Sequence, residues 1–195
     1  VVFACTGNIC RSPMAEAMLR SRLATRAPHV TVGSVGLRFS DRPAEPGAIK
    51  AMEKRGIDLT GFRSRTMSAE LLAGASLILG MERLHVREVA VLGEDLFART
   101  FTLPEFVADA EVFGPRVQEP IDEWVARIGV HRTPSDYLVD DPTSEVPDPM
   151  GQSNRAFRRC AEQIDELLDR LVDLTWPTPA EIGSDRLDPL NHGGR

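Results

Sequence analysis

The chain is short of cysteine, of long apolar runs and of positive charge, and each shortage removes a class of function. Three cysteines in 195 residues cannot staple a secreted disulfide framework, so the cytoplasm is the expected compartment. No apolar run approaches the roughly 20 residues of a membrane span or the core of a secretory signal, so no membrane insertion is expected. The formal charge is −6, which argues against general nucleic-acid binding and requires any phosphate affinity to be local. His29, His85, His131 and His192 are scattered without metal-ligand spacing, so neither a metal site nor a cofactor is expected. No internal repeat is present.

What is present is enough apolar material for one sizeable core: 42% of 195 residues are hydrophobic. A single domain over 1–174 is the simplest organisation. Residues 175–195, with Pro177, Pro179, Pro189 and a terminal Gly-Gly-Arg, read as a flexible tail. The chain starts at Val1 with a short first strand, which leads to the expectation of native residues before it.

The most informative stretch is VVFACTGNICRSPM. Val1 to Ala4 is an unbroken apolar run, the mark of a strand buried on both faces. From Met14 to Arg26 the apolar residues repeat at helical spacing, and Pro13 suits the first helical position because it lacks the N–H that would be unsatisfied there. The loop from Cys5 to Ser12 is therefore a strand-to-helix turn, which gathers backbone N–H groups at the positive end of a helix and favours an anion. A thiol beside those amides and the Arg11 guanidinium is expected to have its pKa lowered to about 3.5 to 7.5. Arg11 can grip two phosphoryl oxygens with its planar fork. The pair reads as nucleophile and transition-state clamp. Cys-x(5)-Arg-Ser alone arises by chance in about one such chain in thirty, whereas adding Gly7, Asn8 and Pro13 lowers this to roughly one in several hundred thousand.

The passage CTGNICRSPMAE resembles the phosphate-binding signature of the low-molecular-weight protein tyrosine phosphatases, residue by residue from Cys5 to Pro13. The resemblance implies that Cys5 attacks phosphorus and Arg11 binds the phosphoryl oxygens. It implies that Thr6, Gly7, Asn8, Ile9, Cys10, Arg11 and Ser12 form the phosphate loop, with Asn8 and Ser12 bracing it. Cys10 matches the family's second cysteine, which implies a reversible protective disulfide with Cys5. Ser34, in the Ser-Val-Gly that ends a β-branched stretch from Val30, is expected to hydrogen-bond Asn8 and hold it in the left-handed conformation that Asn tolerates. Leu37 and Phe39 are candidates for an aromatic or apolar wall. GIDLTGFRSRTMS is similar to a family passage in which a histidine stands where this chain has Phe62.

Further along, Pro46 to Arg55 and Ser68 to Ala73 have helical character. ASLILGM, Ala75 to Met81, suits a buried parallel strand, Glu82 to Val89 a helix, and Leu96 to Leu103 a fourth strand. The predicted fold class is α/β, a three-layer α/β/α sandwich around a four-stranded parallel sheet with flavodoxin-like winding, and its site belongs at the carboxyl ends of the strands. Residues 104–147 depart from the family and read as a helical insert or lid, with Tyr137 or Trp124 available to supply an aromatic to the site.

Two Asp-Pro pairs follow, Asp141-Pro142 and Asp148-Pro149. The family places its general acid in such a pair just before the last helix, which points to Asp148, with Asp141 as the fallback. A carboxylic acid is needed because a phenolate leaves poorly unless protonated, and the same group can then activate water. Cys160 reads as a small buried hydrophobe.

The function implied is a phosphoprotein phosphatase acting on phosphotyrosine through a phosphocysteine, with a tyrosine kinase or its targets as partners. Protein arginine phosphatases share the fold and resemble the TFTLPEF passage, but have threonine where Ile9 stands. Thioredoxin-linked arsenate reductases need an additional cysteine pair, and only Cys160 lies beyond the loop. From a different class, a phosphate-binding module that uses the same loop without turnover is also carried forward.

Overall fold

The computed structural model describes residues 1–178. Its sheet has four parallel strands in the order β2-β1-β3-β4, formed by β1 (Val2–Cys5), β2 (Gly33–Gly36), β3 (Ile78–Gly80) and β4 (Thr100–Thr102). The helices are α1 (Arg11–Arg26), α2 (Pro46–Glu53), α3 (Ala69–Leu72), α4 (Arg83–Leu92), α5 (Glu94–Phe97), α6 (Leu103–Phe113), α7 (Ile121–Ile128) and α8 (Asn154–Thr175).

Alternation along the strands sorts the helices into two layers. Phe3, Leu79 and Phe101 stand in register and join a cluster with Met14, Met52, Phe106 and Leu168 from α1, α2, α6 and α8. Ala4, Val35 and Ile78 point to the opposite face, where Leu72, Val89 and Leu96 of α3, α4 and α5 cover them. Because both faces are covered, the two central strands, β1 and β3, read as continuous apolar runs.

The winding fixes where a site can form. The chain passes from β1 outward to β2, then crosses back over β1 to reach β3. The carboxyl ends of β1 and β3 thus flank the point where the strand order reverses, the crevice in which open α/β sheets bind ligands.

Several boundaries differ from the sequence reading. The first helix begins at Arg11, so Pro13 lies inside its first turn rather than opening it; the missing N–H is equally harmless there. The fourth strand is only Thr100–Thr102. Leu96 and Phe97 lie in α5, which Glu94 and Asp95 open at its positive end.

The helices α6 and α7 within residues 104–147 are built into the core. Phe106 packs edge-on against Phe101 at 4.9 Å and against Trp124 at 5.6 Å, and Trp124 is fully buried. Arg132 ties the end of the segment down by donating to the carbonyls of Thr100 at 2.7 Å and Phe97 at 3.1 Å. The segment therefore completes the core on the face that α8 also covers.

The body also continues past the expected boundary at 174. Thr175 and Trp176 are buried, and the Trp176 carbonyl accepts from Arg26 at 2.6 Å. The rest of the predicted tail, from 179 onward, lies outside the described residues. Among the described residues no helix is long and apolar enough to cross a membrane.

Truncating the buried indole should cost about 3–5 kcal/mol, the usual penalty for removing a core aromatic. Trp124→Ala is thus expected to lower the urea midpoint markedly with KM for an aryl phosphate within twofold of wild type. Unchanged stability with a raised KM would instead indicate a cover over the site.

Candidate active site

β1 delivers Cys5 to the carboxyl edge of the sheet, and the chain must then reach α1 within five residues. Asn8 makes the sharp part of this turn with φ of 51°, a left-handed conformation that short polar side chains tolerate best. Its side chain is tied on three sides. Nδ2 donates to Ser34 Oγ at 2.7 Å and to Ser12 Oγ at 2.9 Å, while Oδ1 accepts from the Arg65 N–H at 2.8 Å. Gly36 lies directly beneath, where a Cβ would come within 2.7 Å of the Asn8 backbone nitrogen.

The sulfur of Cys5 receives two donors, the Asn8 N–H at 3.2 Å and the Ser12 hydroxyl at 3.0 Å. Both stabilise negative charge on sulfur. Among the described residues, the amides of Thr6, Gly7, Ile9 and Cys10 have no hydrogen-bonded acceptor, which leaves a nest of donors at the start of α1. The three cysteines differ in setting. Burial first, then the charges of Cys5 and Asp148, push the Cys10 thiol far up. Burial pushes Cys160 up to about 12. Both therefore stay protonated, and all three are free thiols.

Arg11 is 1% exposed, and buried charge is tolerated only when it is paired. Its Nη1 lies 2.9 Å from Glu82 Oε1 and donates to the Val146 carbonyl at 2.9 Å. Its Nη2 lies 2.9 Å from Asp148 Oδ2. Burial opposes its charge, but Cys5, Glu82 and Asp148 outweigh that and raise its pKa. Nε is buried without a partner among the described residues.

Asp148 sits at the rim, where its Oδ1 accepts from the Met150 N–H at 3.1 Å and its carbonyl accepts from Gln152 at 2.6 Å. Asp141 is elsewhere. It accepts from Thr143, caps a short 3-10 turn at Pro142–Ser144 and lies 3.9 Å from Arg83.

A cleft of about 330 Å³ opens above this group, lined by Cys5, Arg11 and Asp148 together with Ile9, Phe39 and Met150. Its aromatic comes from Phe39. Tyr137 and Trp124, the two aromatics expected from the inserted segment, are instead buried in the core, because their rings close the sheet's flank.

Four participants were not evident from sequence: Glu82, His85, Glu16 and Arg65. Glu82 and His85 follow β3, which pairs directly with β1, so the polar residues just after the apolar run Ala75 to Met81 were the available signal. Glu16 extends the loop's bracing. It is reached by Ser34 Oγ at 2.5 Å and by Arg65 Nη2 at 3.2 Å, with Arg20 also paired to it. Phe62 packs against the core, and Arg65, three residues on, makes both contacts to the network.

His85 is fully buried behind the loop. The Glu82 N–H donates to its Nδ1 at 2.9 Å, so the neutral ring carries its proton on Nε2 and donates to Thr6 Oγ1 at 3.1 Å. Burial, then the charge of Arg11, push its pKa down to about 3. Between pH 6.5 and 3 the unfolded chain binds this proton and the folded chain does not, so acidification favours unfolding across that window. His85 should account for about 3 kcal/mol of the stability lost between pH 7 and pH 4. His85→Gln is expected to flatten the pH dependence of the urea midpoint, and an unchanged slope would show that the ring accepts a proton in place.

Comparison with known proteins adds the family. Residues 1–127 match the pattern described as low molecular weight phosphotyrosine protein phosphatase. A probable low molecular weight protein-tyrosine-phosphatase, EpsP of Ralstonia nicotianae, is 34% identical over 66% of this chain and 94% of its own. A protein-arginine-phosphatase of Bacillus subtilis is 29% identical over 88% of this chain and 93% of its own. The solved structure of a low molecular weight protein tyrosine phosphatase from T. tengcongensis superposes with a TM-score of 0.67 at 26% identity, covering 88% of this chain and 96% of that one. The chain belongs to the low molecular weight phosphotyrosine protein phosphatase family, and its activity class is that of a hydrolase.

Proposed function

We propose that the chain hydrolyses phosphotyrosine on proteins through a phosphocysteine formed on Cys5. The observation that carries this reading is the convergence of Cys5, Arg11 and Asp148 on one cleft, with the sulfur held by two donors and the guanidinium 2.9 Å from the carboxylate.

In the first step the Cys5 thiolate attacks phosphorus in line. The S–P bond forms as the bond from phosphorus to the aryl oxygen breaks, and Asp148 passes its proton to that oxygen. The loop amides and Arg11 hold the equatorial oxygens, the unpartnered Nε of Arg11 being one donor for them. In the second step Asp148 takes a proton from water as its oxygen attacks phosphorus, and the S–P bond breaks to release phosphate. Asn8, Ser12 and Ser34 keep the loop in shape throughout. Cys10, which lines the same cleft, is the thiol placed to cap an oxidised Cys5 as a disulfide.

The phosphotyrosine assignment rests on the walls. Ile9, Phe39 and Met150 suit the faces of an aryl ring. A phosphoarginine side chain has a polar guanidino group to accommodate, and among the described residues Asp148 is the one carboxylate lining the cleft, with Arg38 at its edge. Arginine dephosphorylation is the second reading because the Bacillus subtilis relative aligns over 88% of the chain. A cytoplasmic location, with a tyrosine kinase or its targets as partners, completes the proposal.

Steady-state hydrolysis of an aryl phosphate should vanish in Cys5→Ser. It should fall by about 10²–10⁴ in kcat in Asp148→Asn, the usual worth of general acid-base catalysis, and stay within twofold in Asp141→Asn. Phosphotyrosine should be preferred to phosphoarginine. Loss in Asp141→Asn but not in Asp148→Asn would overturn the acid assignment. Phosphate binding without turnover in wild type would make the chain a binding module.

A further inference from the structure

The cleft above Cys5 does not stand alone. A second groove of about 440 Å³ lies beside it, and the two share Ile9, Phe39 and Met150 as a common wall. Pro46 and Ile49, from the first turn of α2, form its other side, and Arg42 stands over the Phe39 ring at 5.5 Å from its centroid. A small aryl phosphate would occupy the first cavity only, so the second is free for whatever is attached to the phosphorylated residue.

Charge at the rim points the same way. Arg38 borders the first cavity and Arg42 the second, and among the described residues neither guanidinium has a carboxylate partner. Asp41, which lies between Phe39 and Arg42 in sequence, instead approaches Arg63 at 4.0 Å. Glu45 also borders the groove and Asp148 the first cavity, where it is paired with Arg11, so Arg38 and Arg42 are the rim's positive charges without a carboxylate partner among the described residues. An extended peptide spaces its side chains about 3.3 Å apart along the strand and about 7 Å apart on one side. With one side chain committed to the first cavity, a near neighbour is carried over the shared wall.

We propose that this second groove is a subsite for the substrate's own sequence: an apolar side chain flanking the phosphorylated residue seats against Phe39, Pro46 and Ile49, and an acidic residue beside it pairs with Arg42 and Arg38. The inference rests on the phosphoprotein-hydrolase reading above. An apolar pocket discriminates by roughly tenfold or more for a side chain of this size, and the exposed ion pair adds a smaller, salt-sensitive factor.

The test uses short peptides carrying phosphotyrosine, with a parallel phosphoarginine set. They have Leu or Ser, and Glu or Lys, at the two positions on either side of the phosphoresidue, and phenyl phosphate serves as the flank-free substrate. Wild type should favour the Leu- and Glu-bearing peptides about tenfold in kcat/KM. Ile49→Ser should remove the preference for Leu while keeping that for Glu. Arg42→Glu, at an exposed position, should reverse the acidic preference and keep that for Leu, so the proposal stays testable even if Ile49→Ser folds poorly. Peptide turnover indifferent to the flanks, or preferences that survive both substitutions, would overturn the subsite while leaving the hydrolase reading intact. No turnover of phenyl phosphate by wild type would overturn that reading, and the subsite with it.

Discussion

The position of the Cys5 sulfur relative to Arg11 is the constraint on which the site depends, and neither residue can move independently of the sheet. Cys5 ends a strand hydrogen-bonded on both sides. Arg11 starts a helix whose Met14, Met18 and Leu19 are fully buried beneath it. The five residues between them have little freedom, because Asn8 is fastened to Ser12, Ser34 and Arg65 at once. Fixed donors of this kind require no rearrangement when charge develops, which is where enzymes gain most over water.

Electrostatics completes what geometry begins. Arg11 sits with two carboxylates, Glu82 and Asp148, and a backbone carbonyl around it. These have different freedom. Glu82 lies at the start of α4, whose Val86 and Val89 are fully buried, whereas Asp148 lies on a loop at the rim and is 39% exposed in its side chain. In the proposed mechanism an entering phosphoryl group displaces Asp148 from the guanidinium towards the leaving oxygen, while Glu82 stays paired with Arg11. The buried neutral His85 holds Thr6 from behind without adding charge.

The loop was legible in sequence because its chemistry is local: residues 5 to 12 supply sulfur, amides and guanidinium within one turn. That Asp148 lies near the loop was legible because its Asp-Pro pair comes shortly before α8. Glu82 and His85 were not, since they lie more than 70 residues from Cys5 and reach it only because β3 pairs with β1. Arg65 was hidden likewise, because it reaches the loop across β2, whereas Glu16 is only eleven residues from Cys5 in sequence and its role shows only through its contacts with Ser34 of β2 and with Arg65. In the fold, the apolar runs located β1, β3 and β4 and a β-branched stretch located β2, but the last two strands are shorter than their runs, as Leu96 and Phe97 show by lying in α5. Residues 104–147 looked like an addition because they depart from the family pattern. Phe106 and Trp124 show that they supply core which the short strands cannot bury alone.

The central claim is that phosphate passes through covalent attachment to Cys5. Rapid quenching after mixing enzyme with a labelled aryl phosphate, followed by peptide mapping, measures this directly. The account predicts a burst approaching one phosphate per chain, located on the peptide bearing Cys5 and absent from Cys5→Ser. Turnover with no burst and no label on Cys5, under conditions where the second step is slowed, would contradict it.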